Sequence, residues 1–153
     1  MFDLHRHLDG SLRPGTLREL AGTLPDDLRF QPGMGLAEAL SRFAFALAAL
    51  RDPAAVARVA AEICEDGESE GLHGLEIRFA PQLHGDDPAV FIDAALEGAG
   101  GRADIILCGL YGEPPGLLTA MVDLAASRRG VVGVDLAGGP SPAHHWGLRD
   151  YGS

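Results

Sequence analysis

Two histidines one residue apart close the first apolar run of the chain, in Phe2-Asp3-Leu4-His5-Arg6-His7-Leu8-Asp9-Gly10. Alternate residues of a strand share a face, so a strand here sends the imidazoles of His5 and His7 out side by side. Two neutral imidazoles so placed can hold one cation, and nitrogen donors of this kind suit zinc at about 2.0 to 2.1 Å. The chemistry such a cation supplies is a bound water acidic enough to attack at neutral pH. A catalytic zinc takes about three protein ligands and keeps a position open, so His5 and His7 make a partial set. The remaining histidines do not complete it on spacing. His73 precedes its strand and takes no role. His84, in Gln82-Leu83-His84-Gly85-Asp86-Asp87, reads as an exposed loop histidine, with a lid contact as the alternative. His144 and His145, in Pro142-Ala143-His144-His145-Trp146, read as the start of a helix rather than as ligands.

The elements that must position these groups are legible from hydrophobic pattern. Short, nearly continuous apolar runs at Phe2 to Leu4, Leu75 to Ala80, Ala103 to Leu110 and Val131 to Ala137 read as parallel strands covered on both faces. Between them, apolar residues at three- and four-residue spacing predict helices near Thr16 to Gly22, Leu36 to Leu50, Ala54 to Glu70, Pro88 to Leu96 and Leu117 to Arg129. Asp52-Pro53 and Asp87-Pro88 each put a capping carboxylate before a proline at the first helical position. Gly71 and Gly130 are placed to end helices just before strands. Alternating strands and helices predict an α/β domain, and periodicity leaves open a doubly wound sheet or part of a barrel. The stretch Gly22 to Gly35 is a candidate flap, though a plain surface loop reads better.

On this framework His5, His7, Asp9, His84, Asp135 and Gly138 fall at or just beyond the C-terminal ends of strands, the active face of a barrel. Glu76 and Arg78 alternate with apolar residues in the second strand, where an ion pair of structural purpose is expected. Asp135 admits two readings, a carboxylate held by backbone or a neighbouring strand, or a substrate contact.

Of the 153 residues, 46% are hydrophobic, enough for a substantial core. A formal charge of -10 opposes nucleic-acid phosphates and anionic membranes, and favours a small neutral or cationic substrate. Two cysteines in apolar stretches give no disulfide framework and fit a reducing cytoplasm. No run of 18 apolar residues occurs, which argues against a membrane span.

The stretch from Asp3 to Leu17, Asp3-Leu4-His5-Arg6-His7-Leu8-Asp9-Gly10-Ser11-Leu12-Arg13-Pro14-Gly15-Thr16-Leu17, resembles the first-strand motif of the adenosine deaminases of the amidohydrolase superfamily. Leu75-Glu76-Ile77-Arg78-Phe79-Ala80-Pro81 resembles the second-strand motif, and Val131-Val132-Gly133-Val134-Asp135-Leu136-Ala137-Gly138 the fourth, in the expected order. The resemblance covers the whole chain. It implies that residues 1–153 are the N-terminal half of a metal-dependent deaminase, the first four βα units of an incomplete TIM (β/α)8 barrel.

Carried over by position, the resemblance implies His5 and His7 as Zn²⁺ ligands, His7 and Asp9 beside the substrate with Asp9 on its sugar, and the backbone of Gly138 against the purine. It implies no catalytic residue in this chain, because the third histidine ligand, the glutamate of a His-Ala-Gly-Glu motif, a further histidine and an aspartate ligand belong to later strands. The implied reaction is hydrolytic deamination of adenosine or a related 6-aminopurine. Gly139-Pro140 stands where the family usually has an acidic pair, which keeps aminofutalosine, adenine or another amidohydrolase substrate open. A reading of a different class is a non-catalytic half barrel that dimerises through its unclosed edge or binds a partner.

Overall fold

The computed structural model describes residues 1–22, 31–138 and 143–152. Strands β1 (Phe2–His7), β2 (Gly74–Phe79), β3 (Asp104–Leu110) and β4 (Val131–Ala137) form one parallel sheet in the order β1-β2-β3-β4. Spatial order thus repeats sequence order. A doubly wound sheet reverses direction at a switch point, whereas the wall of a barrel adds each strand to the edge of the one before. The sheet is of the second kind, with β1 and β4 as open edges.

Helices α1 (Pro14–Ala21), α2 (Leu36–Ala49) and α3 (Pro53–Ser69) connect β1 to β2, while α4 (Pro88–Ala99) and α5 (Pro115–Ala126) make the next two crossovers. The sequence caps act as expected: the Asp52 carboxylate accepts from Ala54 N at 2.9 Å and Asp87 from Ala89 N at 3.0 Å. Gly71 closes α3 at φ 72° with Leu72 N donating to Gly67 O. Gly130 differs from expectation. Helix α5 ends earlier, at Ser127, and Gly130 sits in the turn into β4, where its carbonyl accepts from Ile105 N at 2.8 Å.

One face of the sheet carries the core. Leu75, Ile77 and Phe79 of β2 and Ile105 and Leu107 of β3 are buried against Val56, Val59, Ala60 and Ile63 of α3 and Phe91, Ile92 and Ala95 of α4. Each of the Leu, Ile, Val and Phe side chains among them stabilises the fold by roughly 1.5 to 3 kcal/mol. Helices α3 and α4 approach closely at Gly98, where a Cβ would come within 2.0 Å of the Ala57 carbonyl oxygen. A buried polar tie joins α1 to α3: Glu62 accepts from Thr16 Oγ1 at 2.7 Å and Arg58 Nε at 2.9 Å. The alternate residues His5, His7, Arg78, Cys108 and Asp135 lie on the opposite face, toward the interior that a closed barrel would enclose.

Some expectations fall outside the described residues. Most of the Gly22 to Gly35 stretch does, since residues 23–30 lie outside them, and so do Gly139, Pro140 and Pro142. The helix expected from Pro142 is not found in the part that is described: residues 148–151 form a short 3-10 turn, and His144 and His145 precede it in irregular backbone. No helix among the described residues is long and apolar enough to cross a membrane.

Candidate functional site

Strand β1 runs three residues further than its apolar pattern, because pairing with β2 continues through Arg6↔Ile77 and His7↔Arg78. His5 and His7 are therefore strand residues themselves. Their ring centroids stand 5.2 Å apart, tilted by 45°, so both imidazoles present nitrogen on the interior side of one strand end. The turn after them is locked by Leu8 N donating to Arg78 O at 3.0 Å and by Ser11 Oγ donating to His7 O at 2.6 Å. Leu8, fully buried, pins that turn to the core.

Asp9 comes back beside His7, with one carboxylate oxygen 3.9 Å from His7 Nδ1, too far for a hydrogen bond. That same oxygen, Oδ1, is buried and has no hydrogen-bond partner. Burial pushes the Asp9 carboxyl above its usual range, with the His7 charge opposing the shift. Burial likewise pulls His7 below its ordinary value; Asp9 opposes this while His5 and Arg78 add to it. A neutral imidazole is the form that can donate a lone pair to a metal. Phe43 of α2 adds an apolar wall 6.4 Å from the His7 ring.

The residue that pattern reading undervalued is Arg78. An ion pair of structural purpose is expected for one or both of Glu76 and Arg78, and Arg78 makes one: it reaches across β3, donating from Nη2 to the Asp135 carboxylate of β4. Its Nη1 lies 2.8 Å from His5 Nδ1. Asp135 is thus tethered by a side chain from β2, two strands away in the sheet, rather than by backbone or by its neighbour β3. The alternation of Arg78 with apolar residues signalled its interior face; its partners depend on strand order, which sequence pattern does not carry.

His84 corrects the expectation of an exposed loop histidine. It is 1% exposed, its Nδ1 donates to Leu50 O at 3.1 Å, and its ring lies between Phe79 and Phe91 at 5.6 and 5.7 Å. Gly138, at φ 85° just past β4, lies at the same end of the sheet as the histidines, against Tyr111. His144 stacks on Tyr111 at 5.5 Å and stands against Gly112.

As a metal site, the interior end of β1 offers a matched pair and no more. Among the described residues no group of three His, Cys, Asp or Glu side chains could hold an ion. Cys108, the nearest thiol to Arg78, is buried and pushed up in pKa by burial, so it offers no ready thiolate. His5 and His7 fit zinc as donors; the third ligand has to come from elsewhere.

Comparison with known proteins agrees with this geometry. The family model described as Adenosine deaminase matches residues 1–151. The adenosine deaminase of Mycobacterium marinum is 36% identical, over 97% of this chain and 50% of its own length. Among solved structures, the Arabidopsis N6-mAMP deaminase superposes with a TM-score of 0.77 at 27% identity, covering 91% of this chain and 50% of that one. Arabidopsis ADAL complexed with IMP gives 0.76 at 26% identity, over 91% and 49%. The chain spans about half the length of these relatives, and its four parallel strands with their helices match the N-terminal part of their barrels.

Proposed function

The chain belongs to the adenosine deaminase family, and from that premise we propose that it supplies the N-terminal half of a zinc-dependent hydrolase that deaminates adenosine or a related 6-aminopurine. The observation that carries the reading is the interior end of β1, where two adjacent imidazoles stand next to a buried Asp9 oxygen without a partner. A buried acceptor left unpaired is costly unless a ligand donor meets it, and a sugar hydroxyl is such a donor.

In this reading His5 and His7 hold Zn²⁺ together with ligands from the other half of the barrel. The metal supplies a water of lowered pKa for attack at the amino-bearing carbon of the purine. His7 keeps its lone pair available through burial, Asp9 accepts from the sugar, and the exposed backbone at Gly138 admits the base closely because no Cβ intervenes. Arg78 and Asp135 brace β2 and β4 behind them. The proton-transfer group belongs to the other half. The formal charge of -10 favours an uncharged nucleoside over a nucleotide among the 6-aminopurines. A reducing cytoplasm suits the two free, buried cysteines, Cys64 and Cys108.

The test joins residues 1–151 to the C-terminal half of the Mycobacterium marinum relative and measures ammonia release from adenosine, adenine and N6-substituted nucleotides. We expect release from at least one of them, abolished together with zinc content by His5→Ala and His7→Ala. A folded, zinc-loaded chimera silent on every 6-aminopurine would rule the reading out.

A further inference from the structure

Arg78 does more than brace two strands. It is 7% exposed, and its guanidinium is divided between Asp135 at Nη2 and His5 at Nη1, while its Nε has no partner. Nη1 lies 2.8 Å from Nδ1 of His5 and 3.3 Å from Nε2. A lone pair in the ring plane cannot align well with one donor from both nitrogens, so the shorter contact is the hydrogen bond.

A guanidinium only donates. Nδ1 of His5 must therefore offer its lone pair, and the neutral ring carries its proton on Nε2. That leaves no other in-plane lone pair on the ring. A metal binding at Nδ1 takes the electrons that Arg78 uses. A metal binding at Nε2 sends the proton to Nδ1, where it would face another donor. By either route the bond between Arg78 and His5 must break when His5 becomes a ligand.

We propose that Arg78 is a positioning residue of the metal centre, a resident cation that holds His5 in one tautomer until a metal replaces it, with Asp135 retaining the displaced guanidinium. This rests on the reading of His5 and His7 as ligands. It separates from a purely structural role by sign. Removing Arg78 takes away a competitor and a like charge, and so tightens metal binding; removing the Asp135 charge leaves the guanidinium unneutralised beside the metal, and so weakens it. A structural brace would weaken binding in both cases.

Long-range proton–nitrogen NMR on the metal-free 153-residue chain reads the His5 tautomer, and competition with a chromophoric chelator on the chimera that supplies the remaining ligands reads Zn²⁺ affinity. We expect His5 as the Nε2–H form in the parent chain and a mixture in Arg78→Met. Zinc should bind about tenfold tighter in Arg78→Met and about tenfold weaker in Asp135→Asn. An Nδ1–H form in the parent chain, a measurement that needs no variant to fold, would overturn the proposal, and so would weaker binding in both variants. Zinc binding indifferent to His5→Ala and His7→Ala would instead remove the metal reading beneath it.

Discussion

His84 shows how a single side chain can be misread and what its true setting does. With its ring buried between two phenylalanines, the charged form is disfavoured and its pKa falls below the ordinary value near 6.5, mainly through burial and despite the hydrogen bond to Leu50. The folded state therefore binds fewer protons than the unfolded state in mild acid. Stability is complete above pH about 6.5 and declines as pH drops through that value toward the folded pKa. Thermal melts of the parent chain and of His84→Leu across pH 5 to 8 check this: the parent should lose melting temperature toward pH 5 with a steeper slope than the leucine variant, in which His7 still contributes. Equal slopes would show that His84 titrates normally. Sequence presented His84 among Gly85, Asp86 and Asp87, all polar-loop signals, and nothing local reports that α4 folds Phe91 back over it. The His5 and His7 pair was legible because its geometry is local, set by the period of one strand.

At the scale of elements, caps and apolar runs located every strand and the five helices to within a few residues, since Asp52, Asp87 and their prolines act on backbone groups one or two residues away. The α5 end was misplaced because Gly130 punctuates a turn, a role composition does not distinguish from a cap. Contacts between elements were less legible. Gly98 is such a case: it lies beyond the helix expected from Pro88 to Leu96, while in the fold it is inside α4, at the close approach of α3 and α4. Gly98→Ala would gain helix propensity of roughly 1 kcal/mol in an isolated helix. Here its Cβ meets backbone rather than a movable side chain, so the helices must separate, at a cost of about 1 to 3 kcal/mol. Chemical denaturation should show a lower midpoint for Gly98→Ala, and a raised midpoint would mean that the two helices part easily.

At the scale of the molecule, the half barrel leaves Phe2 and Leu4 of β1 and Val132 of β4 at 67, 56 and 55% exposure, beside backbone ladders that have no partner strand among the described residues. Edges of this kind pair with other chains unless charge prevents it. Copies carrying a net charge of -10 repel, and salt screens that repulsion within about 10 Å at 0.1 M. Sedimentation should therefore show association that grows with both protein and salt concentration. A Leu4→Lys, Val132→Lys variant should remain monomeric with its helical circular dichroism intact. A parent chain that stays monomeric at high salt would show these edges to be inert. That the wall is singly wound could not be read from periodicity; the family resemblance supplied it, and the strand order bears it out.

That order has a temporal meaning as well. Since every strand docks on the one synthesised before it, no strand waits for a distant segment to be made, and a chain leaving the ribosome at about 5 to 20 residues per second can add one βα layer at a time. The growing protein always carries a newest strand with a bare flank, and the four-layer wall is what a nascent relative of this family would display midway through its translation.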